Sequence, residues 1–174
     1  MRAALLLLIT AECAFAAPLP SVFQLSLSDQ RTLTEWQGPP VGNVAIMTPE
    51  GKHLQLTKTA TAQQPKSSKN GLVGWVDCSK FGDPAVLNLA KRVPIGSRLI
   101  LRKPDASLLT ITSVKPIIEQ WGFDPDGIHV VLKSRALHGP AIIERFTIKE
   151  RSKNGAYPAY DSTAPAWAKP YLDH

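Results

Sequence analysis

Short runs of alternating apolar and polar residues, separated by turns that contain proline, limit the fold of this chain more than any other feature. Alternation with a period of two is typical of strands that bury one face. Thr48-Pro49-Glu50-Gly51 and Lys103-Pro104-Asp105-Ala106 each lie between two such runs and predict β-hairpins. The predicted strands cover residues 23–28, 44–47, 53–57, 98–102, 108–114, 128–132 and 142–148. We therefore predict a mainly β fold.

One short helix is predicted among the strands, at residues 83–93. Asp83 is a suitable N-cap, Pro84 suits the first helical position, and Pro94 follows the last turn. Residues 116–121 predict a further helical turn.

The first sixteen residues have the pattern of a signal peptide. Arg2 supplies a positive charge, Ala3 to Ala11 are mostly apolar, and Ala14-Phe15-Ala16 is a small-x-small cleavage pattern. Cleavage is predicted after Ala16, which places the mature protein in the periplasm or outside the cell. No later stretch approaches the roughly 18 apolar residues of a transmembrane helix, so we expect no transmembrane span.

The rest of the chain divides by composition into segments. Residues 59–70 lack apolar periodicity, and the last residues combine prolines with aromatic side chains. The predicted organisation is an N-terminal β segment at 20–58, a linker or loop at 59–70, a barrel-like domain at 71–150 and a C-terminal tail at 151–174. The tail is either an ordered strap over the core or a segment that docks onto a partner through Tyr160, Trp167 and Tyr171.

The charge of the chain favours anionic partners. Twenty Lys and Arg residues face fourteen Asp and Glu residues, for a net charge of +6. For an exported protein this favours a cell-wall polymer, another anionic envelope polymer or an envelope protein over nucleic acid. The predicted ligand-binding residues are Arg98 and Arg102 on one strand, Arg145 and Lys149 on another, and Trp121, whose alternative role is a core anchor.

Cysteine and histidine usage argues against disulfides and cofactors. After cleavage only Cys78 remains, so no intramolecular disulfide is possible and the core has to supply the stability. The turn at 124–127 is not an EF-hand loop, because His129 and Arg135 stand where Gly and Glu are required. The four histidines show no metal-ligand spacing. We expect neither a metal nor a cofactor.

The order of elements after Gly71 resembles double-psi β-barrels of the rare lipoprotein A and expansin kind. The segments that carry this resemblance are GLVGWVDC, DPAVLNLAKR, VPIGSRLILR, SLLTITSVKP, IHVVLKSRALHG and AIIERFTIKE. It implies a small barrel, double-psi-like or another barrel of six to seven strands, with one short helix. Catalytic members have acidic residues where this chain has Val114-Lys115-Pro116 and His129-Val130-Val131-Leu132. The resemblance therefore implies a non-enzymatic binding or structural module.

A second resemblance implies an alternative function. Asp77-Cys78-Ser79 is similar to the nucleophile motif of NlpC/P60 cell-wall peptidases. In that alternative Cys78 is the nucleophile, His129 is the base and His138 orients it. A third possibility is a subunit of an envelope assembly that docks through the C-terminal tail. We favour the non-enzymatic envelope module.

Overall fold

The computed structural model describes residue 19 and residues 24–31, 39–82 and 94–173. Within these ranges it contains eleven strands and a single 3-10 turn at Lys169–Tyr171. The strands are β1 Gln24–Arg31, β2 Val41–Met47, β3 His53–Gln55, β4 Ala62–Ser67, β5 Val73–Phe81, β6 Pro94–Arg102, β7 Leu108–Ile111, β8 Ile117–Phe123, β9 His129–Arg135, β10 Ile142–Thr147 and β11 Ser152–Pro158. In the described ranges no helix is long and apolar enough to cross a membrane.

The strands form two antiparallel sheets. The first has the order β1-β2-β4-β5-β6-β7, with β3 paired to β2, and the second has the order β11-β10-β9-β8. β2 and β4 are joined only by the pair Gly42–Ala62, where a side chain at position 42 would lie 2.5 Å from the Ser28 carbonyl oxygen. β4–β7 and β8–β11 are therefore two successive four-stranded meanders.

The main core lies between the two sheets. Its largest member is Trp121, which is fully buried on β8 and donates a 3.0 Å hydrogen bond from Nε1 to the carbonyl of Gln64. Phe123 packs against the indole edge to face. The buried residues of this cluster are Val76, Cys78, Leu99, Leu101, Ile111, Ile118, Trp121, Val130, Leu132, Phe146 and Ile148. They come from both meanders, so β5–β7 and β8–β10 share one core.

A second cluster closes the outer face of the β8–β11 sheet. Residues 159–173, which we call the C-terminal strap, cover this face. The cluster contains Val131 and Ile143 from the sheet and the fully or nearly fully buried Ala159, Ala164 and Ala168 from the strap. The 2.8 Å hydrogen bond from Asp173 N–H to the carbonyl of Ala159 closes the strap on itself. Of the two alternatives for the tail, the structure therefore shows an ordered strap.

The predicted barrel is wrong. The sheets are open, and buried side chains from both of them form one core between them. The chain leaves the first sheet after β7 and crosses to the second over residues 112–116. A buried polar clamp holds this crossing: the carboxylate of Glu144 on β10 accepts hydrogen bonds from Ser113 Oγ and from Val114 N–H, the latter at 3.0 Å. Lys153 Nζ lies 3.3 Å from the other oxygen of the same carboxylate.

Three further segments contain strands that the sequence did not predict. The expected linker at 59–70 contains β4, which alternation does not predict because most of its side chains are polar. The Gln63 and Gln64 amides donate to the carbonyls of Pro39 and Glu119. The expected tail contributes β11 to the second sheet. The helical turn expected at 116–121 is instead part of β8, which pairs with β9. The signal peptide and the helix predicted at 83–93 lie outside the described residues.

Candidate functional site

Four turns meet at one end of the stacked sheets, which we call the hairpin end. They are residues 68–72, 103–107, 124–128 and 148–151, between β4 and β5, β6 and β7, β8 and β9, and β10 and β11. Two come from each sheet, and the Asn70 amide nitrogen donates a 3.3 Å hydrogen bond to the Gly127 carbonyl between them. The meander topology thus brings residues distant in sequence to one surface.

A cleft of about 410 Å³ lies at the hairpin end, and we call it the hairpin cleft. Its apolar side chains are Leu72, Pro104, Ile128 and Ile148, and its polar lining comprises Asn70, Lys103, Thr147, Lys149 and Glu150. Ile128 is 58% exposed although it is a large aliphatic residue. Lys103 comes from the first sheet and Lys149 from the second, and neither forms a salt bridge with a carboxylate of the described residues.

The wall of the cleft at 124–128 is held by ionic contacts. The Arg145 guanidinium lies 2.6 Å from the carboxylates of both Asp124 and Asp126. His129 Nδ1 lies 2.5 Å from Asp126, and the Asn154 amide nitrogen lies 2.7 Å from His129 Nε2. Because that amide nitrogen can only donate, Nε2 accepts and Nδ1 donates to Asp126. These contacts fix the turn that carries Ile128.

The pKa of Asp126 is lowered. Partial burial opposes this shift, but hydrogen bonds from the backbone N–H groups of Ile128 and His129 and from the His129 ring outweigh it. Asp124, Asp126 and His129 are close enough together to ligate one metal ion. Such an ion would have to displace the Arg145 guanidinium, which already pairs with both carboxylates, so we assign this cluster a structural role.

The predicted basic residues lie in different surroundings. Arg98 pairs with Asp77 at 3.0 Å, and Arg145 is held in the ionic cluster. Arg102 is buried, and burial lowers its pKa. Of the four, Lys149 alone lines the hairpin cleft. Trp121, the aromatic residue among the predicted ligand-binding residues, has its alternative role and lies in the core.

Sequence reasoning did not select Lys103 or Ile128 as ligand-binding residues. Each stands in a turn that the sequence did predict, beside a proline or glycine. A lysine and an aliphatic residue in successive predicted hairpin turns were the available signal, but only the packing of the two sheets brings them to one cleft.

Cys78 is enclosed by the core. Its side chain is 1% exposed and its Sγ donates to Gln63 Oε1 at 3.3 Å. Burial, with a smaller contribution from the neighbouring Asp77, raises its pKa to about 12. Both ring nitrogens of His129 are engaged by other residues, and His138 is exposed on the connection after β9. These surroundings disfavour the thiolate that a cysteine peptidase needs.

We expect Cys78 in the folded protein to resist thiol reagents near neutral pH. The raised pKa leaves a very small thiolate fraction, and burial excludes the reagent. Labelling by a maleimide or by dithionitrobenzoate should become rapid only in denaturant, where an unfolded cysteine recovers its ordinary pKa. Labelling of the native protein at the rate of a free thiol would contradict this placement.

The predicted docking residues are divided between the strap and the surface. The Trp167 ring packs edge to face on Tyr157, with 5.6 Å between centroids, and the Arg145 guanidinium lies 5.7 Å from it. Tyr171 is half-buried, and burial raises its pKa. Tyr160 is 68% exposed and lines a smaller cleft of about 190 Å³. Trp167 and Tyr171 thus attach the strap, while Tyr160 faces outward.

No protein-family model matches this sequence, and no curated protein matches it. A solved structure does match: the β-propeller domain of the Trilobed protease from Pyrococcus furiosus, which has an open velcro topology. The fold is similar to part of a β-propeller. The TM-score is 0.50 at 12% sequence identity, and the match covers 82% of this chain. It covers 44% of the propeller chain, so this chain spans less than half of that length.

The likeness agrees with the arrangement of strands. A propeller blade is a four-stranded antiparallel sheet, and β4–β7 and β8–β11 both have this form. In this chain the C-terminal strap covers the outer face of the second meander. That is the face on which a following blade would pack.

Proposed function

We propose that this chain is an exported, non-catalytic binding module of the cell envelope that contacts an anionic wall polymer through its hairpin end. The observation that carries the proposal is the pair of lysines on the hairpin cleft, Lys103 and Lys149, which come from different sheets and have no salt bridge among the described residues. The predicted signal peptide supports export.

The charge of the hairpin end is consistent with a polyanion. Its four turns hold four basic and four acidic residues, which are Lys69, Lys103, Lys149 and Arg151 and Asp105, Asp124, Asp126 and Glu150, and the neighbouring strands β6 and β10 add Arg102 and Arg145. Arg145 pairs with both Asp124 and Asp126 and offsets one of their two negative charges, which weakens their repulsion of a polyanion. Exposed ammonium groups attract a polyanion over about 10 Å at 0.1 M salt, and higher salt screens the attraction.

The surroundings of Cys78 and His129 support a non-catalytic role. A cysteine nucleophile needs a base within hydrogen-bond reach and access to substrate. Cys78 instead bonds to Gln63 inside the core, and His129 is held between Asp126 and Asn154.

Reversal of the charges at the cleft should weaken polymer binding. We expect the Lys103→Glu, Lys149→Glu double variant to bind purified anionic wall polymer about tenfold more weakly at low salt. Two ammonium groups that attract the polymer are replaced by carboxylates that repel it. Co-sedimentation over a salt series measures this. The parent protein should lose binding as salt rises.

A matched pair of lysines controls for net charge. Lys52 and Lys58 are exposed and do not line the cleft, so Lys52→Glu, Lys58→Glu makes the same change in net charge elsewhere. An equal loss of binding in both double variants would refute a localised site. Absence of binding by the parent protein at low salt would refute the polymer as ligand.

A further inference from the structure

We infer that the hairpin cleft binds a free single-chain anionic amphiphile, with its apolar chain in the cleft and its head group beside Lys103 and Lys149. This inference goes beyond the proposed function and assigns a second ligand class to the same site. A hydrophilic polyanion satisfies the lysines but leaves the aliphatic side chains between them uncovered. An amphiphile uses both features.

The first observation is the chemistry of the cleft. Its volume of about 410 Å³ lies within the usual range of small-ligand sites, and it is lined mainly by aliphatic atoms with a few polar groups at the rim. Ile128 on one wall is more than half exposed. A side chain of this size gains from an apolar ligand because covering it removes its surface from water.

The second observation is charge complementarity. Lys103 from the first sheet and Lys149 from the second both line the cleft, so two cations are available to the head group of a bound ligand. An ammonium group suits a carboxylate or phosphate as a compact point charge. Glu150 lines the same rim, and its carboxylate disfavours an anion placed directly beside it. The head group is therefore placed toward the lysines.

The third observation is that one wall is fixed before any ligand arrives. Arg145 bonds to Asp124 and Asp126, and His129 and Ile128 donate backbone hydrogen bonds to the Asp126 carboxylate. Asn70 ties this turn to the opposite sheet through Gly127. A preformed wall reduces the ordering that binding has to overcome.

A chain-length series tests the inference. We expect octanoate, decanoate and dodecanoate, each below its critical micelle concentration, to bind with affinity that rises about threefold per methylene until the cleft is filled. Acetate and decanol should bind at least tenfold more weakly than decanoate. Isothermal titration calorimetry of the whole mature chain gives these affinities.

Two variants separate the chain from the head group. Ile128→Ser should weaken decanoate binding about tenfold, whereas the matched control Val114→Ser, at an aliphatic residue of similar exposure outside the cleft, should leave it unchanged. Lys103→Gln, Lys149→Gln should weaken decanoate and wall polymer together. Ile128→Ser should leave polymer retention within twofold of the parent.

The possible failures are distinguishable. The protein could bind the polymer through the lysines and fail to bind decanoate, or bind decanoate equally well after Ile128→Ser. Either result would overturn the amphiphile and leave the proposed function standing. Binding to phosphatidylglycerol vesicles or to an acidic leucine-containing peptide, but not to monomeric decanoate, would also overturn it. If the parent protein binds neither decanoate nor the wall polymer, both proposals are refuted.

Discussion

Replacing Trp121 with alanine is expected to lower the free energy of unfolding by about 3–5 kcal/mol. The indole is fully buried between the sheets and its Nε1 hydrogen bond to Gln64 is lost with it. Lys66 also lies over the ring, 5.5 Å from its centroid. Gly74 packs directly against the ring, where a Cβ would lie 2.5 Å from it, and a glycine has no side chain that could fill the cavity.

Urea unfolding followed by far-UV circular dichroism measures this loss. Tyr160→Ala is the matched control, since Tyr160 is the most exposed large aromatic residue of the described chain and its removal should change stability by less than about 0.5 kcal/mol. A loss below 1 kcal/mol for Trp121→Ala would contradict the placement of this residue at the centre of the core.

A charged residue at position 168 is expected to detach the C-terminal strap and destabilise the protein by about 3 kcal/mol or more. Ala168 is fully buried against the β8–β11 sheet, in the cluster that contains Val131 and Ile143. Ala168→Asp places a carboxylate in this apolar cluster. Removing that charge from water carries a large free-energy cost.

The strap itself supplies the control. Ala166, two residues earlier, is exposed, so Ala166→Asp has the same charge and the same side chain in water. Thermal unfolding should show a large decrease in melting temperature for Ala168→Asp and a change of about 2 °C or less for Ala166→Asp. Equal melting temperatures for the two variants would mean that the strap does not pack on the sheet.

Local patterns in the sequence predicted much of the strand content but not the architecture. The hairpins β2–β3 and β6–β7 form where the prolines in their turns predicted them. β4 went undetected because its sequence, AQQPKS, is polar and has a bulge between Gln63 and Lys66. The pairing of strands across a sheet depends on tertiary contacts, so open stacked sheets could not be separated from a barrel by alternation alone.

The residues of the candidate site were harder to predict from the sequence than the strands were. Lys149 was predicted to bind ligand, but its partners in the cleft come from three other turns. Arg98 and Arg145 looked equally available in the sequence, yet each has an acidic partner that only the fold brings near. Net charge indicates the sign of a ligand, whereas the free or paired state of each basic group depends on the tertiary structure.

The most direct test of the account is a backbone amide chemical-shift titration of the mature chain with a soluble fragment of anionic wall polymer. We predict the largest shift changes in residues 68–72, 103–107, 124–128 and 148–151, and their disappearance in Lys103→Glu, Lys149→Glu. Shift changes confined to the surroundings of Tyr160 and Lys115, or spread evenly over the surface, would contradict binding at the hairpin end.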